Sequence, residues 1–68
     1  MDKKTWEKQK LENDGKYISL RYNKKYDYEQ YIGWFNAKTE TLYNNRYGTF
    51  YIDYKKLMLF GESAEEPI

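Results

Sequence analysis

The side chains that carry most nucleophilic and proton-transfer chemistry are missing from this 68-residue chain, which has no Cys and no His. Disulfides, thiolate or imidazole zinc sites and haem ligation go with them. Ser19 and Ser63 have no base beside them in sequence, and there is no glycine-rich phosphate loop. The one acid–base constellation is "DYE", where Asp27 and Glu29 set two carboxylates on the same face of a strand. Such a pair can move protons or hold a hard cation. It also suits a solvated strand edge, where charge discourages aggregation. The edge role is the better account. The chain is therefore expected to be no enzyme, with no catalytic residue, no metal and no cofactor.

A different kind of chemistry is abundant. From Tyr31 to Tyr54 the chain reads "YIGWFNAKTETLYNNRYGTFYIDY", and eight of those twenty-four residues are aromatic. Each buried ring withdraws roughly 150–250 Å² from water, so rings can replace the staples that a small domain otherwise needs. A chain of this length buries only about 60% of its unfolded surface. The rings nevertheless outnumber what one core can hold.

The elements that must position them follow from periodicity. "TWEKQKLEND" reads as a helix over residues 4–13, with Thr5 as N-cap and "NDG" as the stop. Its only apolar residues are Trp6 and Leu11, so it should dock by one large ring. From Lys16 onward the period changes to two. In "KYISLRYN", Ile18, Leu20 and Tyr22 share a face opposite Tyr17, Ser19 and Arg21. After a turn at "NKK", the strand "YDYEQYIGWFN" groups Tyr26, Tyr28, Ile32 and Trp34 against Asp27, Glu29, Tyr31 and Phe35. Gly33 marks a bulge or a close backbone contact, and a bulge would swap the faces beyond it.

"NAKTE" and "NNRYG" supply further turns around the short strand "TETLY". "TFYIDY" alternates again, with Phe50, Ile52 and Tyr54 inward. "KKLMLFG" reads as a last strand in preference to a short helix capped by Asp53. The expected fold is α+β: a helix, then a four- or five-stranded antiparallel meander over residues 16–60, curled or forming a small open barrel. Residues 1–61 should make one domain and 62–68 a flexible acidic tail.

Alternation predicts an inward set of Ile18, Leu20, Tyr22, Ile32, Trp34, Leu42, Phe50, Ile52, Tyr54, Leu57 and Leu59. It leaves Tyr17, Tyr31, Phe35, Tyr43, Tyr47 and Tyr51 outward, with Arg21, Lys38 and Arg46 among them. Strand propensity and cross-strand pairing account for some exposed tyrosines without any partner. The whole set exceeds what one short helix can cover, and contiguous exposed apolar area marks an interface. Tyr17, Arg21, Tyr31, Phe35, Tyr43, Arg46 and Tyr51 are the predicted partner-binding residues.

Charge narrows the partner. Met1–Gly15 is balanced, Lys16–Lys56 carries a net +4, and the chain from Leu57 carries −3. That is too weak for a dedicated duplex-DNA binder. Tyr, Trp, Phe and Arg without strong net charge fit a protein partner best, and a homo-oligomer would be one form of it. Single-stranded nucleic acid, held by stacking and Lys/Arg, is the alternative. Asp27, Glu29, Glu40 and Asp53 on the same strands count against it. No segment has the length and apolarity of a membrane span or a signal peptide, so a cytoplasmic protein is expected. The small size and the frequent Lys, Asn and Tyr fit a regulatory chain of a phage or mobile element that antagonises a host protein.

Overall fold

The computed structural model describes residues 1–23 and 28–62. Lys24 and Lys25 of the first turn, Tyr26, Asp27 and the acidic tail from Ser63 lie outside the described residues. Helix α1 spans Lys3–Asn13, followed by β1 (Tyr17–Asn23), β2 (Tyr28–Asn36), β3 (Thr41–Asn44), β4 (Gly48–Tyr51) and β5 (Leu57–Glu62). A 3-10 turn at Tyr54–Lys56 precedes β5. The fold is the expected α+β arrangement of one helix and a five-stranded antiparallel sheet. Strand order is β4-β3-β2-β1-β5, so β4 and β5 are separate edges and the sheet is not closed into a barrel.

The helix is capped three residues before the expected position, by Asp2 in place of Thr5. Asp2 has extended dihedrals, and its carboxylate accepts a hydrogen bond from the Thr5 N–H at 2.8 Å, satisfying one of the free donors of the first turn. The stop works as read: Gly15 takes φ +75°, where a side chain is disfavoured, and turns the chain into β1. β2 clamps this exit, since Gly15 N–H donates to the Phe35 carbonyl and Phe35 N–H to the Lys16 carbonyl.

One ring does dock the helix. Trp6 is 1% exposed and lies 5.2 Å from Phe60, 5.8 Å from Phe35 and 5.9 Å from Tyr54, stacked on the last. At ~25 cal/mol per Å², that burial is worth about 4–6 kcal/mol. Leu11 stays 81% exposed and contributes nothing comparable. Trp6 also donates its indole N–H to Glu40 Oε2 at 2.9 Å, tying α1 to the β2–β3 turn. Around it Ile18, Leu20, Phe35, Leu42, Ile52, Leu57 and Phe60 complete the buried core, with Tyr22, Phe50 and Tyr54 packed against it.

The faces of β2 are opposite to those predicted. Directly paired residues share a face of a sheet. Ile18 pairs with Gly33 and Leu20 with Tyr31, so Tyr31, Gly33 and Phe35 face the helix. Trp34 and Ile32, expected inward, face away. No bulge causes this, because the β1–β2 register runs unbroken from Tyr17↔Trp34 to Asn23↔Tyr28. Gly33 serves a close approach instead: a Cβ there would meet the Tyr43 carbonyl oxygen and the Leu42 side chain. The strand thus coils against β3 where only glycine fits.

The register shift lies in β5, opposite Arg21 and Tyr22. It breaks alternation, so Leu57 and Phe60 are both buried while Leu59, expected inward, is exposed. Asp53 still acts as a cap, accepting from Lys55 N–H at the 3-10 turn that leads into this strand.

Candidate functional site

The helix and the β4–β5 connection cover one face of the sheet, and the other face is open. Register assigns its residues. Tyr17 pairs with Trp34 and Trp34 with Tyr43, so three rings from β1, β2 and β3 form one row across the strands. The Tyr17 and Trp34 rings meet edge to face at 5.0 Å. Trp34 is 43% and Tyr43 48% exposed. The next row holds Asn36, Thr41 and Tyr51, the last almost fully exposed. On the other side of the ring row lie Ser19 with Ile32, then Leu59, Arg21 and Gln30. Gln30 Nε2 donates to Ser19 Oγ at 3.0 Å, bridging β1 and β2 on this surface.

One end of the ring row is hollowed. β3 pairs with β2 only over Trp34–Asn36, so Gln30 runs past the end of β3. Asn44 closes the hairpin there. Its Oδ1 accepts from the N–H groups of Arg46 and Tyr47, and its Nδ2 donates to the Ile32 carbonyl at 2.7 Å. The β3–β4 turn is thereby pinned beside β2 and walls a hollow of about 510 Å³ with Tyr17 and Gln30 on the far side. A smaller, more enclosed hollow of about 200 Å³ adjoins it over Tyr17, Trp34 and Tyr43. Asn45 lines both. The Arg46 guanidinium sits 5.4 Å from the Tyr47 ring centroid, a cation–π contact that holds it at the rim.

The charges of this face are one-sided. Arg21 lies on it and Arg46 beside it. Three of the carboxylates expected on these strands, Glu29, Glu40 and Asp53, are elsewhere. Glu29 has the parity of Tyr31 on the helix side and accepts from its hydroxyl at 2.8 Å. Glu40 is held by Trp6 and approached by Lys10. Asp53 caps the 3-10 turn, and its N–H donates to the Tyr22 hydroxyl. Among the described residues, none of the open face's strand positions is an acid. On the covered side, burial pushes the Tyr22 hydroxyl above its ordinary pKa, aided by the nearby Asp53 and Glu29 charges, against the hydrogen bond from Asp53.

Of the seven residues predicted to bind a partner, Tyr17, Arg21, Tyr43 and Tyr51 lie on the open face and Arg46 in the turn beside it. Phe35 is 2% exposed in the core, and Tyr31 is half-buried on the helix side against Tyr22 and Phe50. Phe35 leaves the candidate surface, whereas Tyr31, though its parity is that of the helix side, still lines the larger hollow. Trp34 takes their place on the open face, missed because Ile32 and Trp34 make the more apolar parity of β2. Asn45 was missed too, having no signal beyond turn propensity. Of the proposed carboxylate pair, Asp27 lies outside the described residues.

Chemically the face offers rings for stacking, amides and hydroxyls for hydrogen bonds, and guanidinium groups for anions. Among the described residues no cluster of three or more acids is placed to hold a metal ion. None of their helices is long and apolar enough to cross a membrane. No protein-family model matches this chain, and no match was found among curated proteins or among solved structures.

Proposed function

We propose that the protein is a non-catalytic binding module whose contact surface is the open sheet face, and that this surface takes single-stranded nucleic acid. The observation that carries the reading is the Tyr17–Trp34–Tyr43 row, with Trp34 and Tyr43 exposed and Tyr17 half-buried, on a face whose described charges are all positive. Every base has a π-face, and stacking on an aromatic side chain contributes about 1–3 kcal/mol per base. Of the carboxylates that weigh against nucleic acid in the sequence, Glu29, Glu40 and Asp53 are held off this surface. Local charge, not the net +1, is what a phosphate meets.

Two arginines also set a limit. Single-strand binding loses about 0.7 in log affinity per tenfold salt for each phosphate neutralised, so two contacts give a slope near −1.4. Binding should therefore be moderate and carried mostly by stacking. Titration of the Trp34 fluorescence with a 12-mer of mixed sequence tests this, with Trp34→Phe as the control for Trp6. Quenching with a shallow salt slope supports the reading. A flat titration at low salt removes it.

A protein partner is the second reading, favoured by the scarcity of cations. Tyr, Trp and Arg set among Ser, Thr, Asn and Gln resemble a hot-spot centre with a polar rim. Molecular extents of 33 × 27 Å leave room for the ~800 Å² that a standard interface buries on each side. A regulatory antagonist of a host protein belongs to this reading.

A further inference from the structure

We infer that the paired hollows beside the ring row form a base-reading subsite for one nucleotide of a bound strand, with adenine the preferred base. This rests on the nucleic-acid reading above and adds a specificity to it.

Stacking alone is indifferent to sequence. The hollows contain groups that are not. Asn44 is consumed by the turn, with its amide oxygen on two N–H groups and its amide nitrogen on Ile32. Asn45, next in the chain, makes no side-chain hydrogen bond among the described residues and lines both hollows. A side-chain amide presents a donor and an acceptor side by side, the complement of the adenine N6 amino group and N7. The smaller hollow is walled by the rings of Tyr17, Trp34 and Tyr43, and the face of one ring is enough for a base to stack on.

The larger hollow fits the rest of the nucleotide. Arg46 has no ion pair among the described residues, and its stack on Tyr47 leaves the guanidinium edge available for a phosphate. Gln30 gives Nε2 to Ser19 and keeps its amide oxygen for a sugar hydroxyl or an amino group. A base in the small hollow and its phosphate in the large one would place Asn45 at the base edge. The occupant is a nucleotide within a strand, because the open face extends past the ring row on both sides, to Tyr51 in one direction and Arg21 in the other.

The test compares the 12-mers dA12, dT12 and dC12, and free dAMP, by fluorescence titration of wild type, Asn45→Ala and Arg46→Gln. Asn45 is exposed and its side chain bonds to no other described residue, so the alanine variant should fold, as circular dichroism would verify. Wild type should prefer dA12 over dT12 by at least about fivefold, the low end of what one bidentate contact discriminates. Asn45→Ala should bring that ratio to within about twofold by weakening dA12 more than dT12. Arg46→Gln should keep the ratio and flatten the salt slope by about 0.7. Equal binding of dA12 and dT12 by wild type, or a preference that survives Asn45→Ala, overturns the subsite while the stacking face stands. If dAMP binds as tightly as dA12, the hollow takes free nucleotide and the strand assignment is wrong. If none of the four ligands binds, the nucleic-acid reading itself has failed.

Discussion

Adjacent residues Trp34 and Phe35 show how much one register decides. Both are large and aromatic, and alternation alone puts them on opposite faces without saying which is inside. The sequence favours Trp34, because its parity also holds Ile32. Cross-strand pairing to Ile18 and Leu20 selects Phe35, with Gly33 giving up its side chain so that β3 can close in. Phe35→Ala should cost about 3–5 kcal/mol, the range for a large core aromatic, and leave little native circular dichroism. Trp34→Ala, at an exposed position, should keep most of the melting temperature. Comparable losses in both variants would mean that the open face is packed.

Tyr22 gives a pH dependence at the same scale. Its hydroxyl pKa is raised in the folded state, chiefly by burial. The stabilisation tied to that shift is fully present below the unfolded value of 10.0 and is lost as pH rises through the folded value. Tyr22→Phe lacks the titrating group. Wild type should exceed the variant in urea stability at pH 8, and the gap should narrow by pH 11. A gap that stays constant across that range would detach the alkaline loss from Tyr22.

Elements were legible where local chemistry decides them and obscure where tertiary contacts do. The thin apolar stripe of α1 announced docking through Trp6, and "NDG" announced its end. The cap did not stand out, since Asp2 and Thr5 are both good N-cap residues and only the backbone distinguishes them. β5 was recognisable as a strand, but its bulge against β1 could not be read from "LMLFG", and Phe60 was missed as core. The β2–β3 turn was expected. Its role as the helix anchor was not, because nothing in "NAKTE" points to Trp6.

That anchor makes a test for the element. Glu40 adopts φ 56°, a left-handed conformation that costs a non-glycine residue of the order of 1 kcal/mol. It is held there while its carboxylate accepts from the Trp6 indole and its carbonyl accepts from Ile52 N–H. Glu40→Ala keeps the strain and strands a part-buried donor, a loss of about 1–3 kcal/mol. Glu40→Gly loses the same bond but relieves the backbone, so it should melt above Glu40→Ala. If alanine proves the more stable of the two by thermal denaturation, the turn does not hold that conformation.

At the scale of the whole molecule, placement matters more than totals. The charge balance of +1 and the carboxylates scattered through the strands argued for a protein partner. Folding puts Glu29, Glu40 and Asp53 on or beside the covered side, where they bond to Tyr31, Trp6 and the 3-10 turn. Rings and arginines remain on the other face. The surplus of aromatic residues was visible from composition, whereas its division into core and surface required the register. The most direct test is a two-dimensional amide NMR titration of the 15N-labelled protein with a single-stranded 12-mer at low salt. The account predicts shifts concentrated on β1, β2, β3 and the 45–47 turn, centred on Tyr17, Trp34 and Tyr43, with the exposed side of α1 unmoved. Shifts confined to α1, or none at saturating oligonucleotide, would contradict it.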